Sequence, residues 1–160
     1  MGRRFPEGEG LKGLPPQHPV FVVHSLGHAI AALTAAAKAG RSIIVLSAPD
    51  AGIYAGPGWF KALIDAARAI VPDATAEFIL DCGDDAGAAQ GAIRGGIEAM
   101  VFSGRTDVAE RLAAIAAARD IRFLTIRPEA LLDLGRWFFA DVETVAGECA
   151  DRLASLPPIC

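Results

Sequence analysis

Five short runs of almost unbroken apolar character recur along the chain: VFVVH (20–24), SIIVLS (42–47), EFILD (77–81), AMVFS (99–103) and RFLTI (122–126). A strand with one wet face alternates apolar and polar residues, and these runs do not. They read as strands buried on both faces, the pattern of parallel sheets covered by helices. The segments between them are long enough for helical crossovers and end near Lys38-Ala39-Gly40, Val71-Pro72-Asp73, Gly95-Gly96 and Arg119-Asp120. Parallel neighbours need such crossovers, so each connection reads as a βα unit. The expected class is α/β, a three-layer open parallel sheet of about five strands with helices on both faces. A flavodoxin-like order, 2-1-3-4-5, is preferred. The alternative is a half-barrel (βα)5 arc whose open side needs a second copy or the N-terminal arm, since five units cannot close an eight-unit barrel.

Helix signals agree with this spacing. Phe60, Leu63, Ile64, Ala67, Ile70 and Val71 recur three and four residues apart and leave Lys61, Asp65 and Arg68 for solvent, which predicts a sheet-facing stripe. Start signals are Ser25 before Leu26, Gly56 then Pro57, Asp84-Asp85 before Ala86, and Asp107 three residues ahead of Glu110 as a variant capping box. From Ala130 to about Leu156 the pattern predicts one long helix or two broken near Gly135, carrying the cluster Trp137-Phe138-Phe139. That cluster is read as core packing or as the surface of a homodimer through the C-terminal aromatic helix. Residues 1–19, dense in Gly and Pro, are expected to form a flexible N-terminal arm ahead of a single α/β domain over 20–156.

Charge and composition remove several partners. With 160 residues, a net charge of −4 and basic residues scattered singly apart from Arg3-Arg4, the chain has no cationic stripe for nucleic acid. No apolar run approaches the roughly 20 residues that cross a bilayer, and MGRRFPEGEGLKG lacks the apolar core of a signal peptide. The expectation is a soluble, cytoplasmic protein. Cys82, Cys149 and Cys160 are odd in number and differ in context, which suits reduced thiols.

In open parallel sheets, ligands sit beyond the carboxyl ends of the strands. That rule collects His24 and Ser25, then Ser47 and Asp50, then Asp81 and Cys82, then Ser103, Gly104 and Arg105, and finally Arg127 and Glu129. In the preferred order the first and third strands are neighbours, so His24 and Asp81 are expected to meet as an imidazole and carboxylate pair, the minimum for acid-base work. The competing readings are a turn or cap role for His24 and a plain ion pair for Asp81. His28 stands four residues after His24, but His24 ends a strand, so no two-histidine metal face is expected, and no metal or cofactor is assigned. Cys82 is read either as a nucleophile beside His24 or as a small buried residue.

Ser103, Gly104 and Arg105 precede a helix whose first amides suit phosphate or carboxylate, and Arg127 adds a second cation. The segment 47–60, with Tyr54 and Trp59, reads as a long glycine-bearing loop that forms a lid or ligand wall. Its AGPGW lacks the spacing of a dinucleotide or P-loop motif. Lys12, Lys38 and Lys61 lie in the arm or on helices, which disfavours Schiff-base chemistry, and Gly-x-Ser-x-Gly is absent.

Asp81 after the third run, Ser103 after the fourth and Arg127-Pro128 after the fifth resemble the receiver pattern of response regulators. The resemblance covers the second half of the chain and implies phosphoacceptance at Asp81. The family's acidic pair after its first strand is His24-Ser25 here, and its lysine is Arg127. LDCGDDAGAAQGAIRGGIEAMVFSG, 80–104, also resembles a βαβ unit from the later part of phosphate-binding (β/α) barrels. The functional expectation is a domain binding a small anionic metabolite, as a lyase or isomerase using His24 and Asp81 with Ser25, Asp50, Ser103, Gly104, Arg105 and Arg127 around the ligand. The alternative is a degenerate receiver-like signalling or interaction module without catalysis.

Overall fold

A computed structural model describes residues 18–158. The arm expected over 1–19 therefore lies almost wholly outside the described residues, as do Lys12 and Cys160. All five expected strands are present: β1 Val20–Val23, β2 Ile43–Ser47, β3 Ala76–Asp81, β4 Ala99–Val101 and β5 Arg122–Leu124. A sixth, β6 Leu132–Asp133, was not expected. Helices α1 Leu26–Ala39, α2 Ala51–Tyr54, α3 Pro57–Ile70, α4 Ala86–Arg94, α5 Thr106–Ala117 and α6 Val142–Ala154 complete the chain, with a 3-10 turn at Leu134–Trp137.

The local signals explain most boundaries. Ser25 Oγ accepts from the His28 N–H (3.2 Å) and starts α1, and Gly40 closes it in the left-handed region at φ 63°. Pro57 stands at the first position of α3. Asp85 caps α4 by accepting from the Ala88 N–H (2.8 Å), whereas Asp84 makes no such cap. The capping box at Asp107 does not form: α5 begins at Thr106, and Asp107 holds the Arg105 side chain instead.

Every strand pair is parallel, and the sheet runs β5-β4-β3-β2-β1-β6. The α/β parallel class expected from sequence is therefore observed, but the 2-1-3-4-5 order is not. The order is sequential, as in the arc alternative, with β6 returning to the free edge of β1. Right-handed crossovers in sequential order place every helix on the same face. Accordingly α6 packs on α1, α1 on α3, α3 on α4 and α4 on α5, a single row instead of two layers.

The two faces of the sheet bury different partners. Phe21, Val23, Ile43, Val45, Phe78, Leu80, Met100 and Phe123 pack outward against the helices. Val20, Val22, Ile44, Leu46, Ile79, Ala99, Val101 and Leu124 pack inward against one another, and all are buried with no helix among them. A flat sheet would leave that inner face bare. Burial of all eight residues therefore requires the sheet to curl into an arc whose inner face closes on itself. The linker 125–131 joins the two edge strands across its open side, and from it Arg127 reaches Asp81 on β3 and the Ser47 carbonyl on β2. At the amino end of this interior Arg122 Nη1 donates to both oxygens of Glu77 (3.0 and 3.2 Å), and burial raises the Glu77 carboxyl above its ordinary range despite that partner.

Candidate functional site at the strand carboxyl edge

Because all six strands point the same way, their carboxyl ends share one rim, and each brings polar groups to it. β3 ends at Asp81, whose carboxylate is nearly inaccessible. Its Oδ1 accepts from the Gly83 N–H (2.8 Å) and its Oδ2 from Arg127 Nη1 (2.6 Å). Arg127 Nη2 also donates to the Ser47 carbonyl at the end of β2 (2.9 Å), and the Asp81 N–H donates to Ser47 Oγ (2.9 Å). Asp81, expected to face an imidazole, is instead the anchor of an arginine.

His24 directly follows β1, and β2 lies between β1 and β3, so the expected meeting with Asp81 does not occur. Its carboxylate partner is Asp133 at the end of β6, with Nε2 2.6 Å from Oδ1. A carboxylate only accepts, so the proton sits on Nε2 and leaves Nδ1 as the basic nitrogen. No described residue hydrogen-bonds to that nitrogen. Asp133 Oδ1 also accepts from the Gly135 N–H (2.9 Å). Burial pushes the Asp133 carboxyl up, but the Gly135 N–H, the His24 hydrogen bond and charge, and the charge of Arg127 outweigh it and hold it below its ordinary value. Arg127 thus acts on both Asp81 and Asp133.

His28 backs this pair from the first turn of α1. Its Nδ1 accepts from the His24 N–H (3.1 Å), its Nε2 faces the Trp137 carbonyl (3.5 Å), and its ring meets Phe138 edge-on. Burial lowers its pKa by more than the Trp137 carbonyl raises it, so the neutral ring is favoured. His28 Nδ1 is engaged, and among the described residues no group of three or more His, Cys, Asp or Glu side chains is placed to hold a metal ion.

The remaining expected residues, apart from Ser25 beside His24, lie at other strand ends of the same rim, and none makes a hydrogen bond to the side chains of this pair. Ser25 is occupied as the cap of α1. Asp50 is exposed and stands at φ 61° before α2. The segment 47–60 is not a long loop, since it folds into α2 and the start of α3, presenting Tyr54 to solvent. Ser103 and Gly104 lie between β4 and α5, and Arg105 is 79% exposed and paired through two nitrogens with Asp107. Cys82 is fully buried, and burial, reinforced by Asp81 and Asp85, pushes its thiol up to about 12, so the nucleophile reading fails. Lys38 and Lys61 lie on α1 and α3.

Asp133 was missed by the sequence reading, which placed it in a helix. The available signal was Asp-Leu-Gly, an Asx-turn pattern in which the acid binds its own backbone two residues on. Gly135 has a second reason to be glycine: a Cβ there would stand 2.9 Å from His24 Nε2 and 3.1 Å from Asp133 Oδ1.

No family model matches the chain, and no curated protein matches it in sequence. Among solved structures it is similar to a chain from Coccidioides immitis described as a "putative fructose-1,6-biphosphate aldolase", at 20% identity and a TM-score of 0.54. The likeness covers 66% of this chain and 39% of that one. It establishes a shared fold. No described helix is long and apolar enough to cross a membrane.

Proposed function

We propose that the chain binds a small anionic metabolite, phosphorylated or carboxylated, at the strand carboxyl edge and acts there as a lyase or isomerase by moving a proton. The observation that carries this reading is the 2.6 Å contact between His24 Nε2 and Asp133 Oδ1, at the one rim where all strand ends meet. His24 Nδ1 takes a proton from a carbon beside a carbonyl, or from a hydroxyl in an aldol cleavage, and returns it to the product. Asp133 holds the ring in the working tautomer and stabilises the imidazolium, and the proton transfer by His24 contributes ~10²–10⁴ in rate. Arg105, whose exposed pairing with Asp107 exchanges for a ligand at little cost, supplies the anion contact with Ser103, Gly104 and the first amides of α5. Arg127 adds positive charge between the two acids. The aldolase name of the structural neighbour is of the same reaction class.

The expected dimer surface moves in this reading from the final helix to the loop ahead of it, where Phe138 and Phe139 are exposed. The receiver-like alternative is the weaker one. Its phosphoacceptor would be Asp81, whose two oxygens are already held, and receivers use the 2-1-3-4-5 order.

A thermal-shift panel of sugar phosphates and 2-oxo acids, followed by deuterium incorporation from heavy water into each ligand that binds, tests the proposal. Binding with carbon-bound exchange supports it. Stabilisation only by magnesium with a phosphoryl mimic supports the receiver reading, and no response to any anion removes both.

A further inference from the structure

Residues 125–131 carry the chain across the open side of the arc, and β6 joins the sheet only through the two-residue pairing of Leu132 and Asp133 with β1. No backbone hydrogen bond ties residues 125–130 to the described residues; the first is from the Leu131 N–H to the Val20 carbonyl (2.8 Å). Thr125, Ile126, Glu129 and Ala130 are exposed. In the middle of this loosely held linker the Arg127 side chain turns inward and makes two charge-assisted bonds, to Asp81 at 2.6 Å and to the Ser47 carbonyl at 2.9 Å. Asp81 is itself held by Gly83 and by the pairing of β3 with β2 and β4, so it is a fixed point. An arginine suits this task because its planar fork reaches a carboxylate and a carbonyl together, which a lysine ammonium does not.

We propose that Arg127 and Asp81 form a latch that positions Asp133 against His24, so that Asp81 serves the site from two strands away without touching the reacting atoms. Arg127 pins the linker, the pinned linker sets where β6 begins, and β6 delivers Asp133 to Nε2. The charge of Arg127 also helps keep Asp133 ionised. The inference rests on the proposed function only in calling His24 and Asp133 the proton-transfer pair. The contact itself is readable without a substrate.

The test is the solvent-exchange rate of the His24 Nε2–H proton, followed by NMR on the full chain. In the native protein the 2.6 Å bond to the Asp133 carboxylate should slow that exchange. Arg127→Met and Asp81→Asn should each speed its exchange tenfold or more, approaching the Asp133→Asn protein, while Arg127→Lys, which keeps the charge but not the fork, falls between. Arg122→Met breaks the ion pair with Glu77 at the opposite end of the arc and should leave the rate unchanged. A folded Arg127→Met protein with the native rate overturns the latch, and so does an Arg122→Met protein that exchanges as fast. Should Arg127→Met fail to fold, Asp81→Asn, which preserves size and leaves the Ser47 contact, decides by the same two outcomes. A positive result together with undiminished turnover in His24→Ala would leave the latch standing and remove the proposed function.

Discussion

At the scale of single residues, the rim is organised by what each polar group can accept or donate. Asp81 has both oxygens filled and is an anchor, whereas His24 keeps one nitrogen open among the described residues for the base role proposed for it. Gly135 is a sensitive neutral position, because a side chain there intrudes on the His24–Asp133 pair. Gly135→Ala should slow ligand proton exchange about 10- to 100-fold with little loss of stability, read by comparing exchange rates with urea midpoints. His28 makes a second prediction. Its folded pKa lies below the ordinary value of 6.5, so the unfolded chain binds more protons in the window between the two. The stability from a neutral His28 is therefore fully present above that value and is lost as pH falls through the lowered one. Urea unfolding should show His28→Gln to be less sensitive than the native protein to a drop from about pH 7.5 to about pH 5.5. An equal drop in both would remove His28 as the cause.

At the scale of elements, the legible features were those written in a local pattern. The five apolar runs became β1 to β5, and Ser25, Pro57 and Asp85 start their helices as their side chains require. β6 was not legible, because two residues carry no periodicity and its pairing is decided by the edge of β1, over 100 positions earlier. The stretch from Ala130 misled for a related reason. Its apolar residues suit a helix, but Asp133 captures the Gly135 N–H and diverts the backbone into a 3-10 turn, so the long helix starts only at Val142. The inner face of the arc gives a prediction at this scale. Ile79 is fully buried among strand side chains alone, and Ile79→Ala should cost about 2–5 kcal/mol in urea unfolding. Ile115 on α5 is nearly half exposed, and Ile115→Ala should change stability by less than about 1 kcal/mol.

At the scale of the whole molecule, strand order turns out to matter more than strand content. A sequential order and a 2-1-3-4-5 order use the same elements and the same rim, and no local signal in this chain separates them. They differ in which strands are neighbours, and hence in which acid His24 meets. The sequence reading placed His24 and Arg127 at the strand carboxyl ends, and the structure has both there. That reading paired His24 with Asp81 only because the wrong neighbour was assumed. The covering of the inner face was equally illegible, since an apolar strand buried against other strands looks like one buried against helices. The role proposed for His24, moving a proton on a ligand at this rim while Asp133 orients it, is read by deuterium incorporation into a bound anionic ligand. His24→Ala should bind that ligand with an unchanged Kd and incorporate deuterium at least about 100-fold more slowly than the native protein. Incorporation at the native rate by His24→Ala would rule out His24 as the base.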